Sequence, residues 1–131
     1  MESTSQISKG RLWTSYILQT LVVLLFLMGA ANNVLQTEMA VSGATKMGYP
    51  ESSVLYLGIV LLVSTLLYIF PRTSIIGALL LTAWLGGAVA THVIHKDPVF
   101  NVLFPVLVGI IVWLSLWLRD KKLSEQFPLR K

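Results

Sequence analysis

The sequence predicts an all-α integral membrane protein, a four-helix bundle with antiparallel neighbours and both termini in the cytoplasm. Three observations predict it. Hydrophobic residues make up 55% of the chain and charged residues only 12%, with a mean hydropathy of +0.75. A soluble domain carries about 25% charged residues, and half of that cannot cover a globular surface with water-compatible groups. The charges cut the 131-residue chain into four long uncharged stretches, and short polar joints separate the last three. The same composition excludes a soluble single-domain enzyme. It also excludes disorder, which needs low hydrophobicity and high net charge.

The stretches are 12–37, 52–71, 73–95 and 98–118, and they hold 90 of the 131 residues. About 20 helical residues cross a ~30 Å hydrocarbon core, so each is long enough to span. Spans are expected near 13–35, 52–70, 73–94 and 98–118 of a single membrane domain, 1–131. Barrel strands are about 10 residues of strict alternation, whereas Leu21-Val22-Val23-Leu24-Leu25-Phe26-Leu27 is apolar on every side. Pro71-Arg72 joins spans two and three, and Lys96-Asp97-Pro98 joins three and four, with Pro98 placed to open a helix. Such short joints force neighbours to run antiparallel. The outer loop 38–51 is longer. Met39, Gly43 and Met47 share a face there, and Gly48-Tyr49-Pro50 closes a short surface helix. Segment 17–28 also has the length of a signal-peptide core, with Lys9 and Arg11 before it and Gly29-Ala30-Ala31 after it; the expectation is a retained span.

Orientation follows from the basic residues. Lys9, Arg11, Arg72, Arg119, Lys121, Lys122, Arg130 and Lys131 fall on one side, Lys46 and Lys96 on the other. Eight against two places the tails 1–11 and 119–131 in the cytoplasm. The net charge of +4 is thus an orientation signal that also suits anionic lipid headgroups near 119–122, and no basic surface is left for nucleic acid. Trp13, Tyr16, Tyr68, Phe70, Trp113 and Trp117 fall near the cytoplasmic interface. Tyr49, Tyr56, Phe100 and Phe104 fall near the outer one, as aromatic belts do. The chain has no cysteine, which removes disulfide and thiolate chemistry.

Span three is rich in small residues. Thr82, Gly86 and Ala90 recur every four residues, as do Ala83, Gly87 and Thr91. That spacing lets helix backbones approach closely, so Ala83, Gly86, Gly87 and Ala90 are read as a helix-packing surface with Gly86-Gly87 as its crossing point. Trp84 sits mid-span, where its indole N–H needs a partner, and packing within the bundle is expected.

Segment 48–92 carries a family resemblance. Its parts are Gly48-Tyr49-Pro50-Glu51-Ser52, Leu57-Gly58-Ile59, Leu67-Tyr68-Ile69-Phe70-Pro71-Arg72-Thr73, Gly77-Ala78-Leu79-Leu80-Leu81-Thr82 and Leu85-Gly86-Gly87-Ala88-Val89-Ala90-Thr91-His92. Phe104-Pro105, Trp113 and Leu118-Arg119-Asp120 extend it over about residues 20–130. These segments resemble the DoxX-like family of small four-span bacterial membrane proteins. The resemblance implies a four-helix bundle in a bacterial inner (plasma) membrane. Relatives include a subunit associated with thiosulfate:quinone oxidoreduction and others linked to redox-stress assemblies. Two positions depart from the family. Relatives often carry a lysine late in span one, where this chain places Asn33, and a glutamate after the Leu-Gly-Ile stretch, where it has Leu61. Intramembrane charges are costly and usually paired, so joint loss is consistent with a former pair.

The polar residues that remain concentrate at the outer ends of the spans. Asn32, Asn33 and Gln36 end span one; Thr91, His92 and His95 end span three; Asn101 begins span four. One reading is interhelical glue, at about 0.6 kcal/mol per bond. The other is a ligand site built from Asn33, Trp84, His92 and Asn101, with His92 as the embedded titratable group. His92, His95 and Asp97 have the residue types of a zinc set, but His95 and Asp97 flank a helix end and no third strong ligand motif accompanies them. No phosphate loop, paired-carboxylate site or nucleophile–base set is present, and no cofactor or metal is expected. Span residues Gln19, Ser64, Thr65 and Ser115 imply little, since hydroxyls bond back to the preceding turn. The expected function is a non-catalytic membrane subunit or scaffold, in lipid, joining a membrane partner or a second copy through span three. The alternative is binding or transport of a lipophilic, quinone-like molecule. Whether Asn33 and His92 line a cavity or bond helix to helix discriminates the two.

Overall fold

A computed structural model describes residues 7–129. Residues 1–6, Arg130 and Lys131, which the charge asymmetry counts, lie outside the described residues. Every regular element among the described residues is helical. Helix α1, Lys9–Val34, starts at Ser8, whose hydroxyl accepts from the Arg11 amide, as an N-cap does. It ends where Asn32 accepts from the Thr37 hydroxyl and Gln36 turns to φ 51°. Thr37 then caps α2, Glu38–Lys46. Glu38 in its first turn and Lys46 in its last both suit the helix dipole. Gly48, at φ +88°, turns the chain away from α2, a conformation that favours glycine.

Helix α3, Ser53–Ile69, has 17 residues, at the short end of what crosses a bilayer. Pro71 follows two residues later, and the residue before a proline is pushed out of the helical region; Phe70 accordingly sits at ψ 128°. Helix α4 is Ser74–Ile94 and α5 is Val99–Arg119, the latter entered through Pro98. Segment 119–131, expected as a plain tail, contains α6, Lys121–Gln126, which Asp120 caps by accepting from the Leu123 amide. Three helices, α1, α4 and α5, are long and apolar enough to cross a membrane.

Helices α1 and α4 each pack against both α3 and α5. The core repeats at helical spacing. Val22, Phe26 and Ala30 come from α1, Leu61 and Tyr68 from α3, Ala78, Leu81 and Leu85 from α4, and Val108, Val112 and Leu116 from α5. Buried hydroxyls are satisfied internally: Ser64 and Thr65 donate to carbonyls four residues back, and Ser115 donates across to the Ser15 carbonyl at 3.0 Å. Tyr68, placed by sequence in the interfacial belt, is fully buried and donates to the Val112 carbonyl at 2.9 Å. It faces α5 rather than a headgroup layer. The outward faces remain apolar: Leu21, Leu24, Val63, Leu79, Leu107 and Ile110 are all exposed. Contiguous exposure on this scale suits lipid, not water.

The close helix crossings are not where the small-residue spacing suggested. A Cβ on Gly86 or Gly87 would meet nothing within 4 Å, and Ala83, Gly86, Gly87 and Ala90 are all exposed. With 3.6 residues per turn, turning Ala78, Leu81 and Leu85 inward turns those four outward. The tight approaches are at Gly58 and Gly77. A Cβ on Gly58 would lie 2.7 Å from Asn33 Cβ, and one on Gly77 would run into the Tyr68 backbone nitrogen. Gly58 thus lets α3 meet the end of α1, and Gly77 lets α4 fold back onto α3.

Candidate functional site

Helices α1, α2, α3 and α4 border a half-open cavity of about 420 Å³. Asn33 enters from the last turn of α1 and Leu57 from α3, while Trp84, Thr91 and His92 come from α4. Ala40, Gly43 and Ala44 of α2, with Met47 just after it, form the roof. Three of the four residues that sequence assigns to a ligand site, Asn33, Trp84 and His92, therefore line one space. Asn101 does not, because α5 packs along the other flank of α4. Asn32 and Gln36 also fall away from it. The Asn32 side chain is committed to the Met28 carbonyl and the Thr37 hydroxyl, and Gln36 is exposed in the turn. The roof face is Ala40, Gly43, Ala44 and Met47; Met39, read onto that face, is 72% exposed.

His92 is held by Asp97, and the contact is a hydrogen-bonded pair rather than part of a metal set. Its Nδ1 lies 2.6 Å from Asp97 Oδ2, with both side chains about three-quarters buried. The joint positions the carboxylate: the Asp97 amide donates to the His92 carbonyl, and Lys96 takes φ 55° to allow it. A carboxylate that accepts this bond requires the proton on Nδ1, and Nε2 makes no hydrogen bond among the described residues. Among the described residues no three metal-ligating side chains gather.

Tyr49 was read as an interfacial aromatic. Its hydroxyl instead lies 2.6 Å from the Thr91 hydroxyl, which itself donates to the Gly87 carbonyl. This bond ties the α2–α3 connection to α4 at the cavity's edge. Trp84 packs on the core and lines the cavity, while its indole Nε1, like His95 Nε2, is buried without a hydrogen-bond partner among the described residues. An unsatisfied buried N–H costs about 1–3 kcal/mol. Gly87 lines the same cavity, so the missing side chain there is part of what makes the space.

Asn33 and Leu61 face each other's helix. Asn33 abuts Gly58, and one turn back a Cβ on Gly29 would lie 3.5 Å from Leu61 Cδ2. The two positions thus occupy adjacent turns of the α1–α3 contact.

No curated protein and no solved structure matches the chain. A family model, that of the DoxX-like family, matches residues 17–115. With its apolar helices and a match over most of its length, the chain is a membrane protein that belongs to the DoxX-like family.

Proposed function

We propose that this protein is a non-catalytic, multi-pass component of a bacterial inner membrane that binds a lipophilic small molecule bearing a polar head. Its four long helices form one membrane domain, with both termini cytoplasmic and α2 lying on the outer face. The ligand enters the cavity beneath α2, its apolar body against Leu57, Ala83 and Trp84 and its head toward Asn33 and His92. A mostly apolar pocket with a few convergent polar groups is the usual form of a small-molecule site, and a quinone-like ring fits that description.

One observation carries this reading: Asn33 and His92, far apart in sequence, line one cavity rather than bonding helix to helix. The test is native mass spectrometry of protein extracted gently from its own membrane. A discrete lipophilic adduct, lost in His92→Ala while the fold is retained, supports the site; an adduct indifferent to His92→Ala and Asn33→Ala sinks it.

A second reading is a subunit that docks a membrane partner or another copy through α4. Its support is that Ala83, Gly86 and Ala90 face outward rather than into the chain's own core. A stoichiometric protein partner without a small-molecule adduct would favour it.

A further inference from the structure

A second space, of about 580 Å³, lies on the opposite flank of α4, between it and α5. Its walls are almost wholly carbon: Leu85, Val89, Val106, Ile110 and Leu114, with Gly86 and Gly109 giving it depth. Polar atoms are few and already used. Trp113 Nε1 donates to the Thr82 hydroxyl at 2.8 Å, and Trp117 Nε1 to the Phe127 carbonyl at 2.9 Å.

Basic residues come from the segment next to the groove's Trp117 and Phe127 end. Helix α6 begins with exposed Lys121 and Lys122 and delivers Phe127, whose ring stacks on Trp113 at 5.0 Å and lines the groove with Pro128. Arg11 lies with its guanidinium 5.2 Å over the Trp117 ring, on α1 beside the same end. The nearby acids are Asp120, occupied in capping α6, and Glu125. A long carbon-lined groove with an excess of cations at one mouth matches a molecule that is an extended hydrocarbon with an anionic end.

We propose that the α4–α5 groove is a specific site for an anionic phospholipid, one acyl chain lying along Leu85, Val89 and Ile110 and the phosphate meeting Lys121, Lys122 and Arg11. This site is separate from the cavity under α2. Basic residues near an anionic headgroup favour it additively, while the groove excludes a free anion from the role by its apolar length. Gly86 gives a direct test, because it lines the groove and a Cβ there would meet no atom within 4 Å, which leaves room for a side chain to project into it.

The experiment is native mass spectrometry of the full chain, delipidated and then exposed to phosphatidylglycerol or phosphatidylcholine with identical acyl chains, or to inorganic phosphate. Wild type is expected to retain phosphatidylglycerol roughly tenfold or more over phosphatidylcholine. Lys121→Gln with Lys122→Gln should erase that preference. Gly86→Leu should lose the retained lipid, while Gly87→Leu, which fills the other cavity, should keep it. Thermal melting of each variant confirms that it is folded. Equal retention of the two lipids, unchanged retention in folded Gly86→Leu, or a phosphate adduct that persists in that variant would each overturn the proposal.

Discussion

Gly86 and Gly87 are neighbours on α4, yet they open onto different spaces. Gly86 lines the groove against α5 and Gly87 lines the cavity under α2. Consecutive helical residues are rotated by about 100°, so the pair hollows both flanks of one helix. Neither glycine meets an atom where its Cβ would be. Glycine in a helix costs about 0.5–1 kcal/mol relative to alanine. Gly86→Ala and Gly87→Ala are therefore expected to raise stability by about that amount. Thermal melting in detergent checks it, and a fall in melting temperature for either would mean that the glycine packs against something.

The opposite outcome is expected at Gly58 and Gly77. Alanine at Gly58 drives its methyl into Asn33 and the Val34 amide, and at Gly77 into the Tyr68 backbone. Overpacking costs about 1–3 kcal/mol, and backbone cannot swing aside, so Gly77→Ala should fall at the upper end. The same melting series measures both changes. Tolerance of Gly77→Ala without loss of stability would contradict the close α3–α4 approach.

The α1–α3 contact predicts coupling between two positions. Asn33→Lys or Leu61→Glu alone places an unpaired charge there, at up to about 2.5–3.5 kcal/mol. The double variant should recover part of that, because the two sites lie on adjacent turns of facing helices. A double-mutant cycle reading more than about 0.5 kcal/mol of favourable coupling is the expected outcome. Strict additivity would show that the two side chains do not meet.

The contact between His92 and Asp97 predicts a defined tautomer. Nitrogen NMR of labelled histidine should find the neutral His92 ring protonated at Nδ1. Asp97→Ala should release that preference, cost about 1 kcal/mol of stability, and weaken adduct retention less than His92→Ala does. An unchanged tautomer in Asp97→Ala would remove the carboxylate from the account.

At the basic end, Ser115 ties α5 to α1. It donates to the Ser15 carbonyl and accepts from Arg119 Nη1 at 2.9 Å. Arg119 also lies 5.5 Å over the Tyr16 ring. Ser115→Ala strands part of the guanidinium and should destabilise by about 1–2 kcal/mol. The melting midpoint, set beside that of Ser124→Ala, a half-buried serine whose hydroxyl bonds only back to the Lys121 carbonyl, isolates the effect.

The sequence by itself determined where the long helices lie, where the joints fall and which ends carry basic charge, because each depends only on local composition. Charged residues cannot sit in hydrocarbon, so Arg72 and Lys96-Asp97-Pro98 had to be connections. It also singled out Asn33, Trp84 and His92, since polar or amphipathic groups are conspicuous in an apolar span. Only the tertiary structure decided which face of each helix packs. In α4 the lipid-facing Leu79 and Leu80 are as apolar as the buried Leu81 and Leu85, so no periodicity marks the core. That is why Gly86-Gly87 reads as a crossing point in sequence and opens two cavities in the fold. Asn101 was likewise indistinguishable from Asn33 until α5 took its place on the far flank of α4. Tyr68 read as an interfacial residue until Val112 was found to accept from its hydroxyl. Asp97 became the partner of His92 only when the turn at Lys96 folded the carboxylate back. Helix-facing, unlike helix-forming, is set by neighbours distant in the chain.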